Sequence, residues 1–246
     1  MSHSRIVVVQ SSPRNDTLSV TRQVVQKLLE KLAKLSPNDK HILNRECAEL
    51  PYVDKEFTEK ITNPCKHNPN GDKVASKAWT LSWECCEELI QSDIIVIGVP
   101  IYNFSIPACL KSWIDLCTVI KRTYSFDESG PLGLLQGKSA FLVVASGGME
   151  IGCAYDFGTR YLRHILTLWG IAHITVIDVS QGQVERALQQ IEKITSLVPP
   201  TAPMVKAHLP TYNQEPAMIH NSEPNPPNKD GLTSTEPTDM LAVPEE

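Results

Sequence analysis

The chain has 246 residues, of which 41% are hydrophobic and 21% charged, a composition typical of a globular protein with an ordinary apolar core. It carries 28 acidic and 23 basic residues. Seven of the acidic and two of the basic ones fall in residues 199–246, so residues 1–198 hold 21 of each sign. This neutral balance excludes a strongly basic nucleic-acid-binding face and a polybasic membrane anchor.

Neither a membrane span nor a signal peptide is predicted. No apolar run approaches the length that a bilayer requires, and the first residues lead directly into a short strand-like segment. The seven cysteines include no CxxC pair, and the histidines show no metal-ligand spacing, so we predict no zinc site. Reduced, buried thiols are the simpler interpretation, and they indicate a cytoplasmic protein.

Strand-like and helix-like apolar patterns alternate along the first 198 residues. Short runs rich in Ile and Val predict five strands, and apolar residues three or four positions apart predict five helices. The strands are predicted at residues 5–10, 41–43, 93–100, 139–144 and 173–179. The helices are predicted at residues 19–35, 73–91, 107–119, 156–169 and 184–197. This alternation predicts an α/β domain with a doubly wound five-stranded parallel sheet and helices on both faces.

Two segments depart from the alternation. Residues 46–72 are irregular, and we interpret them as a long connection between a strand and a helix. Residues 199–246 hold ten of the 18 prolines among many polar residues, so they cannot bury enough apolar surface to offset the entropy of ordering. The sequence therefore predicts one domain over residues 1–198 and a Pro-rich, acidic, disordered tail over residues 199–246.

Three loops after predicted strands have unusual sequences. In an open parallel sheet, ligands bind beyond the carboxyl ends of the strands, where the strand order reverses. After the first strand, hydroxyl side chains cluster just before a helix, at Ser11, Ser12, Ser19 and Thr21. With the free N–H groups of a helix N-terminus they would bind a phosphate, although Ser and Thr also serve as ordinary N-caps. The loop has no P-loop lysine and no GxGxxG motif, which argues against a nucleoside triphosphate or a dinucleotide.

The other two loops supply aromatic residues and glycines. Residues 100–104 read Pro-Ile-Tyr-Asn-Phe, so a planar ligand could stack on Tyr102 and Phe104 while Asn103 bonds its polar edge, or the rings could simply cap the core. Gly147 and Gly148, after the fourth strand, permit a close backbone approach or a positive φ, and they also suit an ordinary tight turn. The three loops together imply a ligand with a phosphate at one end and a flat, hydrogen-bonding ring system at the other, which is the shape of FMN.

These motifs resemble those of the FMN-dependent NADH azoreductases, a family of flavodoxin-like quinone reductases. The resemblance runs from residue 5 to about residue 197 and is most specific in PIYNFSIPACLKSWIDL at residues 100–116. Further runs similar to the family precede the fourth strand, at residues 123–126, 130–134 and 137–138. The family usually has an arginine before its paired glycines, whereas this chain has Ser146.

The resemblance implies a flavodoxin-like fold with a bound FMN. It implies phosphate ligands at Ser12, Ser19, Val20 and Thr21, and flavin-ring contacts from Ile101, Tyr102, Asn103, Phe104, Ala145, Ser146, Gly147 and Gly148. It also implies a homodimer whose two active sites lie at the interface. In such a dimer, Tyr124 or Phe126 would help to cover the acceptor pocket.

The activity implied by the resemblance is the reduction of a quinone or an azo compound by NADH or NADPH. Hydride would pass from the nicotinamide to the flavin, and the acceptor would then take the same stacking site, in a ping-pong scheme that needs no catalytic side chain. Two other interpretations stay open. The chain could be a catalytically altered flavodoxin-like binding or regulatory protein. It could also carry electrons to another protein, although the neutral domain argues against that role.

Overall fold

The computed structural model describes residues 5–35, 41–61 and 76–196 of the chain. The tail predicted at residues 199–246 lies outside these residues, as do residues 73–75 and 197 of two predicted helices. The strands are β1 (Arg5–Gln10), β2 (His41–Glu46), β3 (Ile94–Pro100), β4 (Tyr124–Asp127), β5 (Gly130–Gly133), β6 (Ser139–Ser146) and β7 (His173–Ser180). The α-helices are α1 (Val20–Leu35), α2 (Lys55–Ile61), α3 (Lys77–Gln91), α4 (Ala108–Cys117), α5 (Phe157–Leu168) and α6 (Val184–Glu192).

Five of the strands form one parallel sheet in the order β2-β1-β3-β6-β7, which confirms the predicted fold class. The chain passes from β1 outward to β2 and then crosses to β3 on the other side of β1, so the strand order reverses between β1 and β3. Val9, Ile97 and Leu142 lie level with one another across β1, β3 and β6. The loops that follow these three strands therefore emerge side by side at one edge of the sheet.

Helices cover both faces of the sheet. On one face, α1 and α6 pack around Leu28 and Ile177. On the other, α3, α4 and α5 pack around Leu89, Trp113 and Leu166. All seven residues of β3 are buried, as expected for a continuous apolar strand between two helix layers. No helix of the described ranges is both long and apolar enough to cross a membrane.

The structure adds elements that the sequence pattern does not predict. The irregular connection contains a short 3₁₀ turn (Cys47–Glu49) and the seven-residue helix α2. The segment before β6 contains an antiparallel hairpin of two four-residue strands, β4 and β5. The helix α2 and the two hairpin strands are too short to show a helical or strand-like period of apolar residues. In addition, β5 has the sequence GPLG, which is unlike a strand. The last helix ends at Glu192, five residues before the predicted end.

Four cysteines are buried: Cys85 and Cys86 on α3, Cys117 at the end of α4, and Cys47 in the 3₁₀ turn. Cys86 Sγ donates to the carbonyl oxygens of Leu116 and Cys117, at 3.8 and 3.6 Å. Burial raises the pKa of the Cys86 thiol to about 12. The folded state therefore favours the protonated Cys86 thiol over the thiolate.

This shift predicts a loss of stability at alkaline pH. A thiol with a higher pKa in the folded state stabilises the fold fully below its unfolded pKa of roughly 9, and this stabilisation is lost as the pH rises toward about 12. For Cys86 we expect the free energy of unfolding to fall by up to about 1.4 kcal/mol per pH unit in this window. Urea unfolding at several alkaline pH values measures the slope. The Cys86→Ser variant keeps a donor without an ionisable thiol, and an unchanged slope in that variant would contradict the assignment.

Candidate functional site

An open pocket of about 290 Å³ lies at the carboxyl edge of the sheet, where the strand order reverses. This volume is at the lower end of the range for small-molecule sites. Nine of the twelve residues predicted to bind the cofactor line the pocket: Ser12, Ser19, Val20, Thr21, Ile101, Tyr102, Ala145, Ser146 and Gly147. Asn103, Phe104 and Gly148 belong to the same loops but do not line it. The structure therefore brings the three loops singled out in the sequence to one pocket.

The loop after β1 presents hydrogen-bond donors. The side chains of Ser12, Ser19 and Thr21 are almost fully buried, and the Ser19 and Thr21 hydroxyls lie 2.9 Å apart. Val20 and Thr21 begin α1, and no described group accepts a hydrogen bond from their backbone N–H groups. Unpaired amides at the start of a 16-residue helix favour an anion. This end of the pocket is therefore suited to a phosphate.

Arg22 fixes the backbone of this loop. Its Nη2 donates to the Ser12 carbonyl at 2.9 Å, and its Nη1 donates to Glu46 Oε1 at 2.8 Å. The hydrogen bond with Glu46 raises the pKa of Arg22 above its usual value. The guanidinium thus ties the phosphate loop to the carboxyl end of β2.

The loop after β3 closes in a tight turn from Tyr102 to Ser105. Each of these two residues donates its N–H to the carbonyl of the other, at 2.9 and 3.0 Å. The two central residues, Asn103 and Phe104, have φ values of 49° and 67°. Positive φ is uncommon for Asn and strained for a bulky residue such as Phe, and strain of this kind concentrates at ligand sites. Tyr102 and Phe104 remain 41% and 55% exposed, so their rings do not serve as caps of the core.

The start of α5 holds this turn in place. The Phe157 N–H donates to the Phe104 carbonyl at 3.1 Å. A Cβ atom on Gly158 would lie 2.7 Å from Ile101 Cδ1 and 3.3 Å from the Ile106 nitrogen, so glycine lets the helix approach the turn without displacing the Ile101 side chain.

The strain at Phe104 gives a measurable prediction. We expect Phe104→Gly to raise the free energy of unfolding by about 0.5 to 1 kcal/mol. Relief of the left-handed conformation, worth about 1–2 kcal/mol, exceeds the entropic cost of glycine, about 0.5–1 kcal/mol. Tyr102→Gly, on the same turn without a positive φ, serves as the control and should lower stability in urea unfolding. Equal losses in both variants would show that the Phe104 ring contacts outweigh the strain.

A hydrogen bond ties the loop after β6 back on itself, and the loop lines the pocket. Ser146 Oγ donates to the Met149 carbonyl. Neither Gly147 nor Gly148 has a positive φ, so of the roles considered for these glycines a close backbone approach and an ordinary turn are the ones that remain. A Cβ atom on either glycine would meet no protein atom within 4 Å, which leaves their backbone accessible to a ligand.

The carboxylate of Asp156, which is fully buried, ends this loop. Its two oxygens accept from the Gly152 and Thr159 N–H groups, at 2.8 and 2.9 Å. The same side chain thus shapes the loop and caps α5.

The sequence analysis missed several residues of the pocket: Arg14, Leu18, Pro100, Val179 and Gly182. The last two belong to the end of β7 and its loop, which pairs with β6 through the Gln181 N–H and the Ser146 carbonyl, 2.8 Å apart. The glycine at 182, with φ of 69°, was a signal for a special loop conformation there.

Tyr124 and Phe126 do not line the pocket of their own chain. They lie on the β4–β5 hairpin with ring centroids 5.7 Å apart, and Phe126 is 61% exposed. Burial raises the pKa of Tyr124. The acceptor-binding role that the resemblance implies for these rings stays a prediction.

The parallel sheet and the pocket at its switch point define a doubly wound α/β protein with a candidate small-ligand site. A family model described as flavodoxin-like fold matches residues 4–196, and the chain belongs to this family. The FMN-dependent NADH:quinone oxidoreductase of Thiobacillus denitrificans is 38% identical over 181 residues, which are 72% of this chain and 85% of that protein. A protein of the same name from Erythrobacter litoralis is 33% identical over 204 residues, covering 78% of this chain and all of the relative.

A solved structure shows the same fold. It is the FMN-dependent NADH-azoreductase of Bacillus anthracis in complex with FMN, with a TM-score of 0.67 and 22% identity, covering 78% of this chain and 97% of that one. The family match and the FMN-dependent NADH:quinone oxidoreductase relatives confirm the resemblance found in the motifs.

Proposed function

We propose that the chain binds FMN in the switch-point pocket and uses NADH or NADPH to reduce a quinone or an azo compound. The observation that carries this proposal is the meeting, in one pocket, of a helix N-terminus with unpaired amides and of the exposed Tyr102 ring. The names of the relatives, FMN-dependent NADH:quinone oxidoreductases, support it.

The donors at the phosphate end fit the phosphate of FMN. The hydroxyls of Ser12, Ser19 and Thr21, with the backbone N–H groups of Val20 and Thr21, form a compact donor set. Hydroxyls and amides bind a phosphate dianion without a metal ion because each donates directly to an oxygen. These residues would hold the phosphate.

The other end of the pocket fits a flat heterocycle. Ile101 and Tyr102 line this end together with Ala145, Ser146 and Gly147, and the space beside Gly147 is free of protein atoms. Asn103, Phe104 and Gly148 follow these residues in the same loops, and we propose that they contact the ring as well. The amides and carbonyls of such loops bond the polar edge of a ring, and apolar side chains contact its face. These residues would orient the flavin.

When bound, FMN supplies the hydride-transfer chemistry, which side chains cannot provide. The chain's own residues would position the ring in the pocket. We propose that nicotinamide and acceptor occupy the open pocket beside it in turn, in a ping-pong scheme. No nucleophile or metal ligand is required of the protein.

We further propose a cytoplasmic homodimer. Its support is a group of large apolar side chains left exposed near the aromatic turn and on the hairpin: Tyr102, Phe104, Phe126, Leu134, Tyr155 and Phe157. Exposed apolar surface of this kind marks interaction sites. In the dimer, Tyr124 and Phe126 of one chain would cover the acceptor pocket of the other. Light scattering is expected to give twice the monomer mass, and a monomer at micromolar concentration would contradict this arrangement.

The activity is tested on the purified full chain. We expect the chain to bind added FMN. NADH or NADPH should then reduce the bound flavin and bleach its absorbance under anaerobic conditions, and a quinone such as menadione should reoxidise it. Failure to bind FMN would overturn the proposal. FMN binding without reduction by either nicotinamide would instead support a regulatory or binding role. Ser146, which stands where the family usually has an arginine, is the reason to test this outcome.

A further inference from the structure

The wall of the pocket has one charged side chain. Among the described residues that line it, Arg14 alone is ionised, and the others are apolar or carry hydroxyl or backbone groups. Arg14 lies on the loop after β1, between Ser12 and Ser19, at the end of the pocket suited to a phosphate. Its backbone N–H donates to Ser12 Oγ at 3.3 Å, which fixes its place in the turn.

The neighbouring charged side chains, Asp16 on this loop and Arg22 on α1, are already paired. Arg22 bonds Glu46 and the Ser12 carbonyl, and Asp16 lies 3.3 Å from Arg22 Nη1. The Arg14 guanidinium, in contrast, is exposed and has no hydrogen-bond or ion-pair partner in the described part of the chain. Its charge is therefore available to a ligand.

We propose that Arg14 binds the phosphate of the cofactor and supplies the positive charge that the pocket otherwise lacks. This inference rests on the proposed function. It adds to that function the residue through which the affinity for the flavin depends on the phosphate group. Hydroxyls and amides bond the phosphate oxygens but leave its two negative charges uncompensated. A guanidinium adds a charge-assisted, bidentate contact suited to a phosphate.

The proposal predicts a selective loss. Arg14→Gln is expected to weaken FMN binding about tenfold, the effect of one charge-assisted hydrogen bond at a partly exposed site. Riboflavin, which has no phosphate, should bind the variant and the unaltered chain equally. Raising the ionic strength should weaken FMN binding to the unaltered chain more than to the variant, because salt screens the guanidinium–phosphate attraction.

The measurement is quenching of flavin fluorescence, with FMN and riboflavin as probes, at low and high ionic strength. Arg163→Gln removes the same charge from the exposed surface of α5 and serves as the matched control, with no expected change in affinity. Arg14→Lys retains the charge without the bidentate geometry and should restore part of the affinity. Thermal unfolding of each apo variant confirms that the fold is kept.

Three results would overturn the proposal while leaving FMN binding itself intact. They are an FMN affinity of Arg14→Gln equal to that of Arg163→Gln, an equal loss of riboflavin binding, and an unchanged salt dependence. If the unaltered chain does not bind FMN, the proposed function fails and this inference fails with it.

Discussion

Replacing Gly133 by alanine is expected to destabilise the domain by roughly 3 kcal/mol, the upper end of the usual cost of overpacking. Gly133 ends the β4–β5 hairpin, where it meets the turn after α5 backbone to backbone. An added Cβ atom would lie 2.1 Å from the Gly170 nitrogen and 2.5 Å from the Trp169 carbonyl carbon. Because the obstructing atoms are backbone, no side chain can rotate away to relieve the contact.

The same contact is held by a hydrogen bond from the Leu135 N–H to the Trp169 carbonyl, at 2.7 Å. Separating the two segments would break it and expose the buried Trp169 ring, which packs edge to face on Trp113. Urea unfolding followed by tryptophan fluorescence reports the loss. Gly137→Ala is the matched control, because Gly137 has a positive φ but no neighbour within 4 Å, so it should cost only about 1 kcal/mol. Equal losses in the two variants would refute the steric explanation.

Asp156→Ala is expected to cost about 3 kcal/mol as well. The variant removes a buried carboxylate that accepts two hydrogen bonds, and it leaves the Gly152 and Thr159 N–H groups without an acceptor. Hydrogen bonds to charged groups contribute about 1.5–3 kcal/mol, and an orphaned buried donor adds a desolvation cost. Because the loop after Gly147 loses its anchor, FMN affinity should fall too.

Two further variants separate burial from capping. Asp156→Asn keeps one acceptor oxygen and should lose about half as much stability. Asp54→Ala removes the carboxylate that accepts from the Phe57 N–H at 2.7 Å on the exposed start of α2, and it should cost about 1 kcal/mol. Denaturant unfolding and FMN titration measure the two effects. If Asp156→Ala loses no more free energy of unfolding than Asp54→Ala, burial of the Asp156 carboxylate does not strengthen its contribution to stability.

The sheet and its main loops could be predicted because their signals are local and strong. The Ile- and Val-rich run that contains β3 indicates a strand buried on both faces, and the structure buries every residue of that strand. Once the strands alternate with helices, topology brings the loops after β1, β3 and β6 to one edge. The positions of Ser12, Tyr102 and Gly147 at one pocket follow from that rule.

The remaining features depend on contacts between distant residues. The β4–β5 hairpin has a strand of sequence GPLG, and its position is set by the approach of Gly133 to Gly170. The positive φ of Phe104 follows from the reciprocal hydrogen bonds of its turn and from the Phe157 contact, because phenylalanine has no preference for that conformation. Arg14 carried no signal in the sequence beyond its place in the first loop.

The strained turn after β3 also bears on how quickly a ligand can enter. Two reciprocal hydrogen bonds and the Phe157 N–H hold its backbone before any ligand arrives. Binding therefore carries no entropic cost for ordering the turn, and the association rate is not limited by a conformational change of the turn. The loop backbone should therefore be nearly the same in the free and the bound protein. The association rate would be limited by diffusion and orientation of the ligand. Differences in affinity among variants of the pocket would then appear mainly in the dissociation rate.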